Sequence, residues 1–154
     1  LYLWNQSGEK VAMEVADHLN QIDRRYVSTS LLCEVNYTAA KIARTKESYQ
    51  LSTNYLQKAL QLLGPDKWKT EHYDRTLEMS TILLELYVAY GNRAGVETVV
   101  NEVSNHARCL EDKLPVLVGK VLFLGGRMCR YADAITYATL VVQLCGKSVP
   151  RNPG

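Results

Sequence analysis

Apolar residues recur along this chain at intervals of three and four residues, the spacing that places them on one face of an α-helix. The pattern predicts seven helices, over residues 9–20, 24–44, 47–63, 71–90, 96–108, 111–124 and 134–144. No segment alternates apolar and polar residues long enough to form a sheet. The sequence therefore predicts an all-α protein.

Glycine and proline mark several of the predicted helix ends. Gly64, followed by Pro65, is expected to end the third helix, and Gly91 and Gly146 the fourth and the last, since glycine suits a left-handed cap. Thr70 is the predicted N-cap of the fourth helix. Pro115 is expected in the first turn of the sixth helix, where a proline is tolerated.

The helices repeat as pairs. Ser52, Val96 and Ala134 occupy equivalent positions in the second helix of each pair, at intervals of 44 and 38 residues. Such intervals exceed those of a tetratricopeptide (TPR) unit but fit lengthened helix hairpins. We expect Trp68 to fill the turn between hairpins. The pattern predicts an α-α superhelix, a TPR-like solenoid of roughly three hairpins after a leading helix, with a continuous concave surface.

The expected organisation has three parts. Residues 1–23 would form the leading helix and a junction to an upstream domain, 24–148 the TPR-like repeat domain, and 149–154 a turn or linker. The chain opens at Leu1 rather than Met. We therefore expect it to be a fragment of a longer protein.

Four stretches of the chain resemble one protein family. They are Val15–Asn20, Tyr55–Trp68, Tyr73–Glu78 and Asn101–Pro115, and the Leu-Leu-Gly-Pro-Asp-Lys-Trp run over 62–68 is the most specific of them. They look like the helical-repeat region of large predicted AAA/STAND-type ATPases. Those proteins are often fused to protein-kinase-like, GAF, histidine-kinase or nucleotide-cyclase domains.

The resemblance implies a non-catalytic interaction or regulatory module that links an ATPase or kinase part to output domains of a signalling protein. Two alternatives stay open. One is a free-standing TPR-like adaptor that binds a protein or peptide on its concave face. The other is an RNA-binding helical repeat, which would require more regular repeats than three.

Composition narrows the classes of partner. Of 154 residues, 47% are hydrophobic and 22% charged, and 18 Lys+Arg against 16 Asp+Glu give a net charge of +2. This composition excludes disorder and argues against a nucleic-acid partner. No apolar run is long enough to span a bilayer, so no membrane partner is expected. A protein partner is expected, and the end helices could mediate self-association because they carry no polar caps.

The sequence indicates no catalytic chemistry, cofactor or metal site. It contains no phosphate-binding glycine loop. The three histidines, His18, His72 and His106, are too far apart in sequence to form a helical ligand pair. The four cysteines are scattered, which indicates reduced, buried thiols and a cytoplasmic location rather than a disulfide framework.

Aromatic usage is unusual, with ten tyrosines and one phenylalanine. The first interpretation is that tyrosines fill half-buried positions of the repeat with the hydroxyl in water. The second is a partner-binding groove lined by Tyr55, Tyr73, Tyr87 and Tyr90, since tyrosine is enriched at interfaces.

Overall fold

The computed structural model describes residues 2–147 and confirms the all-α fold. The α-helices are α1 Tyr2–Gln21, α2 Thr29–Thr45, α3 Tyr49–Leu63, α4 Tyr73–Tyr90, α5 Arg93–His106, α6 Leu110–Leu122 and α7 Tyr131–Leu144. A 3₁₀ turn, Gly64–Trp68, follows α3, and a π turn, Phe123–Arg127, follows α6. No strand occurs in the described stretch.

The chain divides into two compact units, with the boundary between Met79 and Ser80 inside α4. The first unit holds α1 to α3 and the start of α4, and the second holds the rest of α4 and α5 to α7. The domain boundary expected after residue 23 and the superhelical stacking of the hairpins stay predictions.

Buried hydrogen bonds join the helices of the first unit. The amides of Asn20 in α1 and Asn36 in α2 bond reciprocally at 2.9 and 2.8 Å, and Asn36 is fully buried. The Ser52 hydroxyl of α3 donates to the carbonyl of Ala40 in α2 at 2.8 Å. The Tyr55 hydroxyl donates to Asp17 of α1 at 2.8 Å. Each bond satisfies a polar group that would otherwise be costly to bury.

Charged groups surround a tyrosine where α4 meets α2 in the first unit. The buried Tyr37 ring has Lys41 Nζ 4.4 Å and Arg75 Cζ 4.5 Å from its centroid. Arg75 also pairs with Glu34 at 3.2 Å. These contacts connect the first turn of α4 to α2 through a cation–π interaction and an ion pair.

Small residues and one ion pair hold the second unit together. The Tyr87 ring of α4 lies against Gly95 of α5 so closely that a Cβ at Gly95 would be 2.6 Å from the ring. Lys120 of α6 pairs with Glu97 of α5 at 2.7 Å, and its Nζ lies 4.8 Å from the centroid of Tyr137 in α7. The predominantly buried Lys120 therefore connects three helices.

The turns that join the helix pairs each contain one residue with positive φ. Glu47, Gly91 and Cys129 have φ of 58°, 73° and 53°, and each lies two residues before the next helix. After α2, the Ser48 amide donates to the Ala43 carbonyl, and after α4 the Asn92 amide donates to the Tyr87 carbonyl, both at 2.9 Å. This is the six-residue closure of a Schellman motif. The positions 47, 91 and 129 repeat the 44- and 38-residue intervals predicted from Ser52, Val96 and Ala134.

The third turn is wider because of the π turn. The Arg130 amide reaches back six residues, to the Leu124 carbonyl at 2.8 Å. Gly125 and Gly126, which follow the predicted end of the sixth helix at residue 124, lie inside the π turn. Glycine relieves the crowding that an added residue introduces into a helical turn.

Several predicted helix boundaries differ from the structure, and so does the predicted place of Pro115. The second helix begins at Thr29 rather than residue 24, because Ser28 provides the N-cap and its Oγ accepts from the Leu31 amide at 3.2 Å. The fourth begins at Tyr73, so Thr70 lies in the preceding turn and is not its N-cap. Pro115 is the sixth residue of α6, beyond the first turn. It is exposed there, and it has no N–H to donate to the Glu111 carbonyl.

The structure places the predicted repeat positions where close packing needs them. Ser52, Val96 and Ala134 are all buried. Gly64, Gly91 and Gly146 all have positive φ, of 60°, 73° and 72°. Gly64 has ψ of −144°, which differs from the left-handed cap that we expected. Trp68 ends the 3₁₀ turn, and its ring centroid lies 5.8 Å from that of Tyr73 in a T-shaped arrangement.

Candidate interaction site

An open apolar groove runs between α4 and α6 in the second unit. Its volume is about 560 Å³. The lining residues come from two helices only: Thr81, Leu84, Glu85 and Val88 from α4, and Glu111, Leu114, Pro115, Val118, Gly119 and Leu122 from α6.

The floor of the groove is a contact between Leu84 and Gly119. A Cβ at Gly119 would lie 2.5 Å from the Leu84 Cδ2, so a larger residue there would collide with the buried leucine. Gly119 therefore permits the two helices to approach closely at this point. Glycine lowers the helix propensity of α6 at this position, and the close contact with Leu84 explains why a glycine is present there.

The α6 side of the groove leaves apolar side chains in water. Val118 is 47% exposed and Leu122 61% exposed. With Leu114 they form a stripe at four-residue intervals, next to the buried residues Val116 and Leu117. A contiguous exposed apolar stripe of this kind is a mark of an interaction surface.

The charged residues that line the groove are both acidic. Its two charged lining residues are Glu85 on α4 and Glu111 on α6, and both are exposed. Lys113 and Lys120 of α6 are not in the lining, and Lys120 is paired with Glu97. The lining therefore combines apolar surface with acidic side chains from both helices.

The two helices run parallel. Gly119 of α6 faces Leu84 of α4, and the Arg127 guanidinium beyond α6 donates to the Ala89 carbonyl near the end of α4. The second contact lies closer to the C-terminus than the first on both sides, from Leu84 to Ala89 and from Gly119 to Arg127. Because Glu85 follows Leu84, it lies level with the region around Gly119, whereas Glu111 lies eight residues earlier on α6, a distance of about 12 Å.

Two other cavities are less informative. One of about 400 Å³ is lined by Leu117 of α6 and by α7, and includes the exposed Leu140 and Leu144. The other, of about 180 Å³, lies between α1 and α2. The lining of the first contains no charged side chain, so its chemistry does not indicate a particular occupant.

The four tyrosines predicted to line a groove do not form one. Tyr55, Tyr73 and Tyr87 are only 4%, 2% and 8% exposed, and only Tyr90, at 42%, reaches the surface. The prediction is wrong because the three rings fill the helix contacts themselves. Burial, followed by the hydrogen bond to Asp17, raises the pKa of the Tyr55 hydroxyl above its usual value.

The cysteines also differ from expectation. Only Cys33 is buried, and Cys109, Cys129 and Cys145 are exposed. The Asp112 backbone amide lowers the pKa of Cys109, but desolvation and the Glu111 and Asp112 side chains outweigh it, so the net shift is upward. This thiol is therefore less ionised at neutral pH than an ordinary cysteine.

Two searches of the described side chains bear on ligand classes. Among the side chains that the structure describes, at residue 8 and from 10 to 147, no group of three or more His, Cys, Asp or Glu residues has the arrangement of a metal site. Over the same residues, no helix combines the length and the apolar character that crossing a bilayer requires.

The α4–α6 groove was not predicted from the sequence. The sequence feature that could have revealed it is a second apolar stripe on α6, at Leu114, Val118 and Leu122, beside the stripe that packs inward. Comparison of the chain with models of protein families, with curated proteins and with solved structures found no match in any of the three.

Proposed function

We propose that this chain is a helical-repeat interaction module that binds a segment of a partner protein in the groove between α4 and α6. The observation that carries the proposal is the exposed stripe of Val118 and Leu122 above the Leu84–Gly119 floor. Burial of that stripe against a partner would remove apolar surface from water.

The length of the groove favours a polypeptide as the ligand. Its α6 side extends from Glu111 to Leu122, about 16 Å along the helix axis. It is open along this length and lined by side chains at helical spacing. Such a surface matches the way in which grooves between helices bind an amphipathic segment.

The proposal includes a wider role, in which the hairpins stack as a TPR-like superhelix and link an ATPase or kinase part to output domains. The resemblance of Val15–Asn20 and Tyr55–Trp68 to the repeat region of AAA/STAND-type ATPases supports this role. The module itself would be non-catalytic. Hydrolysis of ATP by the purified chain, retained after contaminating ATPases are removed, would contradict that part.

A peptide-display selection on the whole chain tests the groove. Peptides enriched on the wild-type chain should lose binding to the Leu122→Asp variant and keep it on Ile135→Asp. The control is matched, because Ile135 is an exposed aliphatic residue of the same unit outside the groove lining. Equal binding to both variants, or enrichment of no peptide, would overturn the proposal.

A further inference from the structure

We infer that α7 is a dimerisation helix, which pairs with α7 of a second copy of this chain across a two-fold axis. The surface involved is separate from the groove between α4 and α6, so the inference goes beyond the proposed function. Three features of α7 support it: its lack of charge, its exposed apolar side chains and the area that they offer.

Most of α7 carries no charge. The residues from Ala134 to Gly146, between Asp133 and Lys147, include no Asp, Glu, Lys or Arg, and this is the longest such run in the chain. A helix with one side in water normally carries charged residues on that side, whereas a helix without them is normally buried all round. We therefore expect another molecule to cover the side of α7 that one copy leaves in water.

Large apolar side chains lie on that side. Ile135, Leu140 and Leu144 are each more than half exposed. Between Ile135 and Leu140 runs a line of uncharged residues at intervals of four, three and four, which are Ala132, Thr136, Thr139 and Gln143. Two helices that pack side by side contact each other along a line with this spacing.

The threonines of this line can be covered without loss of a hydrogen bond. The Thr136 hydroxyl donates to the Ala132 carbonyl at 2.9 Å, and the Thr139 hydroxyl donates to the Ile135 carbonyl at 2.8 Å. Both hydroxyls are satisfied within α7, so a partner need not supply an acceptor. Gln143 is exposed in the last turn of α7, at the edge of the face.

A second copy fits this face better than a partner of different chemistry. A two-fold axis places the uncharged face of α7 against the same face of the second copy, so no like charges meet. Homodimer interfaces are also more apolar than those of transient complexes, in which charged groups help to select the partner. This face of α7 offers no charged group between Asp133 and Lys147.

The exposed area is large enough for a dimer. The uncharged line and the three large side chains beside it expose on the order of 500 Å² per copy, so a pair would bury about 1,000 Å², which a specific interface requires. The exposed Val11 and Val15 of α1 differ, because they lie beside the exposed ion pair of Lys10 and Glu14. Pairing through α7 alone gives a closed dimer rather than an open chain.

Sedimentation velocity of the full 154-residue chain, at about 1 to about 200 µM, tests the inference. The wild-type chain should dimerise, and Ile135→Asp should raise the Kd at least about tenfold, because it places a charge in the apolar interface. Leu122→Asp is the matched control, since Leu122 is an exposed aliphatic residue of the same unit outside α7, and it should leave the Kd unchanged.

Two charge variants test whether α7 faces itself. Thr136→Lys and Thr136→Glu should each raise the Kd about tenfold, because like charges then meet near the two-fold axis, and an equal mixture should recover most of the lost affinity. Thr136 is exposed, so circular dichroism should show unchanged helix content in both variants.

Three outcomes would overturn the inference. The first is a wild-type chain that stays monomeric at about 200 µM. The second is a dimer that Leu122→Asp dissociates and Ile135→Asp does not, because a second copy would then occupy the groove. The third is a mixture of the Thr136 variants that associates no better than either alone, because α7 would then contact a different surface. Peptide binding in the groove, measured on Ile135→Asp, reports on the proposed function independently of the dimer.

Discussion

The two units of the molecule achieve close helix packing by different means. In the first unit, polar side chains are buried and hydrogen-bonded between helices, as in the Asn20–Asn36 pair and the Ser52 contact with Ala40. In the second, glycines admit large side chains, Tyr87 against Gly95 and Leu84 against Gly119. Four of the five buried polar residues of the described chain lie in the first unit, Asn36, Ser52, Thr53 and Thr76, and of these the Thr53 hydroxyl has no hydrogen-bond partner.

This difference has a consequence for function. A satisfied buried hydrogen bond fixes which helices pair and in what register. Apolar contacts at glycines fix the distance between two helices. They do not require the neighbouring apolar side chains to be buried, so those side chains stay available to a partner. The second unit uses that freedom, since Val118 and Leu122 lie in water directly beside a closely packed floor. This contrast is consistent with the proposal that the partner binds to the second unit.

The largest expected effect is the loss of the buried amide pair. Asn36→Asp places a carboxylate at a fully buried site, opposite the oxygens of Asn20 and Leu32 to which the Asn36 amide now donates. We expect the free energy of unfolding to fall by about 3 kcal/mol or more at neutral pH. Urea denaturation followed by circular dichroism measures it.

The sign of the pH effect checks the cause. Burial raises the pKa of such a carboxyl in the folded state, so the penalty grows as the pH rises above about 4 and shrinks in acid. Asn54→Asp is the matched control, because Asn54 is exposed on α3, and its cost should stay within about 0.5 kcal/mol. If Asn36→Asp and Asn54→Asp lowered the free energy of unfolding equally, the result would contradict the role given to buried hydrogen bonds in the first unit.

The next effect probes the glycine contact of the second unit. Gly95→Ala would bring a Cβ within 2.6 Å of the Tyr87 ring, which is buried and has little room to move. We expect a loss of about 1–3 kcal/mol in thermal or urea unfolding, larger than the gain in helix propensity.

Gly8→Ala provides the contrast to Gly95→Ala, because nothing lies within 4 Å of a Cβ at Gly8 in α1. That substitution should stabilise the chain by up to about 1 kcal/mol. If Gly95→Ala instead stabilised the chain, the packing of the Tyr87 ring would not require a glycine at position 95.

A smaller effect separates two buried tyrosine hydroxyls of the first unit. Tyr55→Phe removes a hydrogen bond to Asp17 and should cost about 1 kcal/mol. Tyr37→Phe should change stability by less than about 0.5 kcal/mol, because no hydrogen bond of normal geometry satisfies the Tyr37 hydroxyl, although Glu78 lies nearby. Burial and then the nearby Glu78 carboxylate raise the pKa of Tyr37.

The free energy of unfolding at alkaline pH tests the role of the Tyr55 hydroxyl. The pKa of Tyr55 is raised in the folded state, so its contribution is complete below about pH 10, where the unfolded chain begins to ionise, and falls as the pH rises further. The stability gap between wild type and Tyr55→Phe should therefore narrow above that pH. A gap that widened would contradict the assignment.

The smallest effect on stability is expected in the groove. Leu122→Asp changes a side chain that is 61% exposed and should alter the free energy of unfolding by no more than about 0.5 kcal/mol. The same change should abolish peptide binding. Destabilisation as large as that of Gly95→Ala would mean that the stripe serves the fold rather than a partner.

Periodicity predicted the helices because one buried face per helix determines where apolar residues must fall. It did not predict the turns at Glu47 and Cys129, since neither residue type is typical of positive φ. Glu47 adopts it in a Schellman closure, and Cys129 adopts it in the wider turn that follows the π turn. Their spacing, equal to that of Ser52, Val96 and Ala134, is the strongest structural sign of the repeat.

The site was predicted less well than the fold. Tyrosine content suggested a binding surface, but Tyr55, Tyr73 and Tyr87 are consumed by packing between helices. Composition cannot distinguish a ring that fills a core from one that faces a partner, because both uses exploit the same apolar area. The second stripe on α6 was the more specific signal, since a helix needs only one such stripe for its own core.

The most direct test of the proposed groove is an amide chemical-shift titration of the isotopically labelled chain with a peptide enriched on the wild-type chain by display. We predict shifts concentrated in residues 81–88 of α4 and 111–122 of α6, with the amides of α1 to α3 little changed. Shifts centred on α1 to α3 or on the exposed face of α7, with the α4–α6 groove unperturbed, would contradict it.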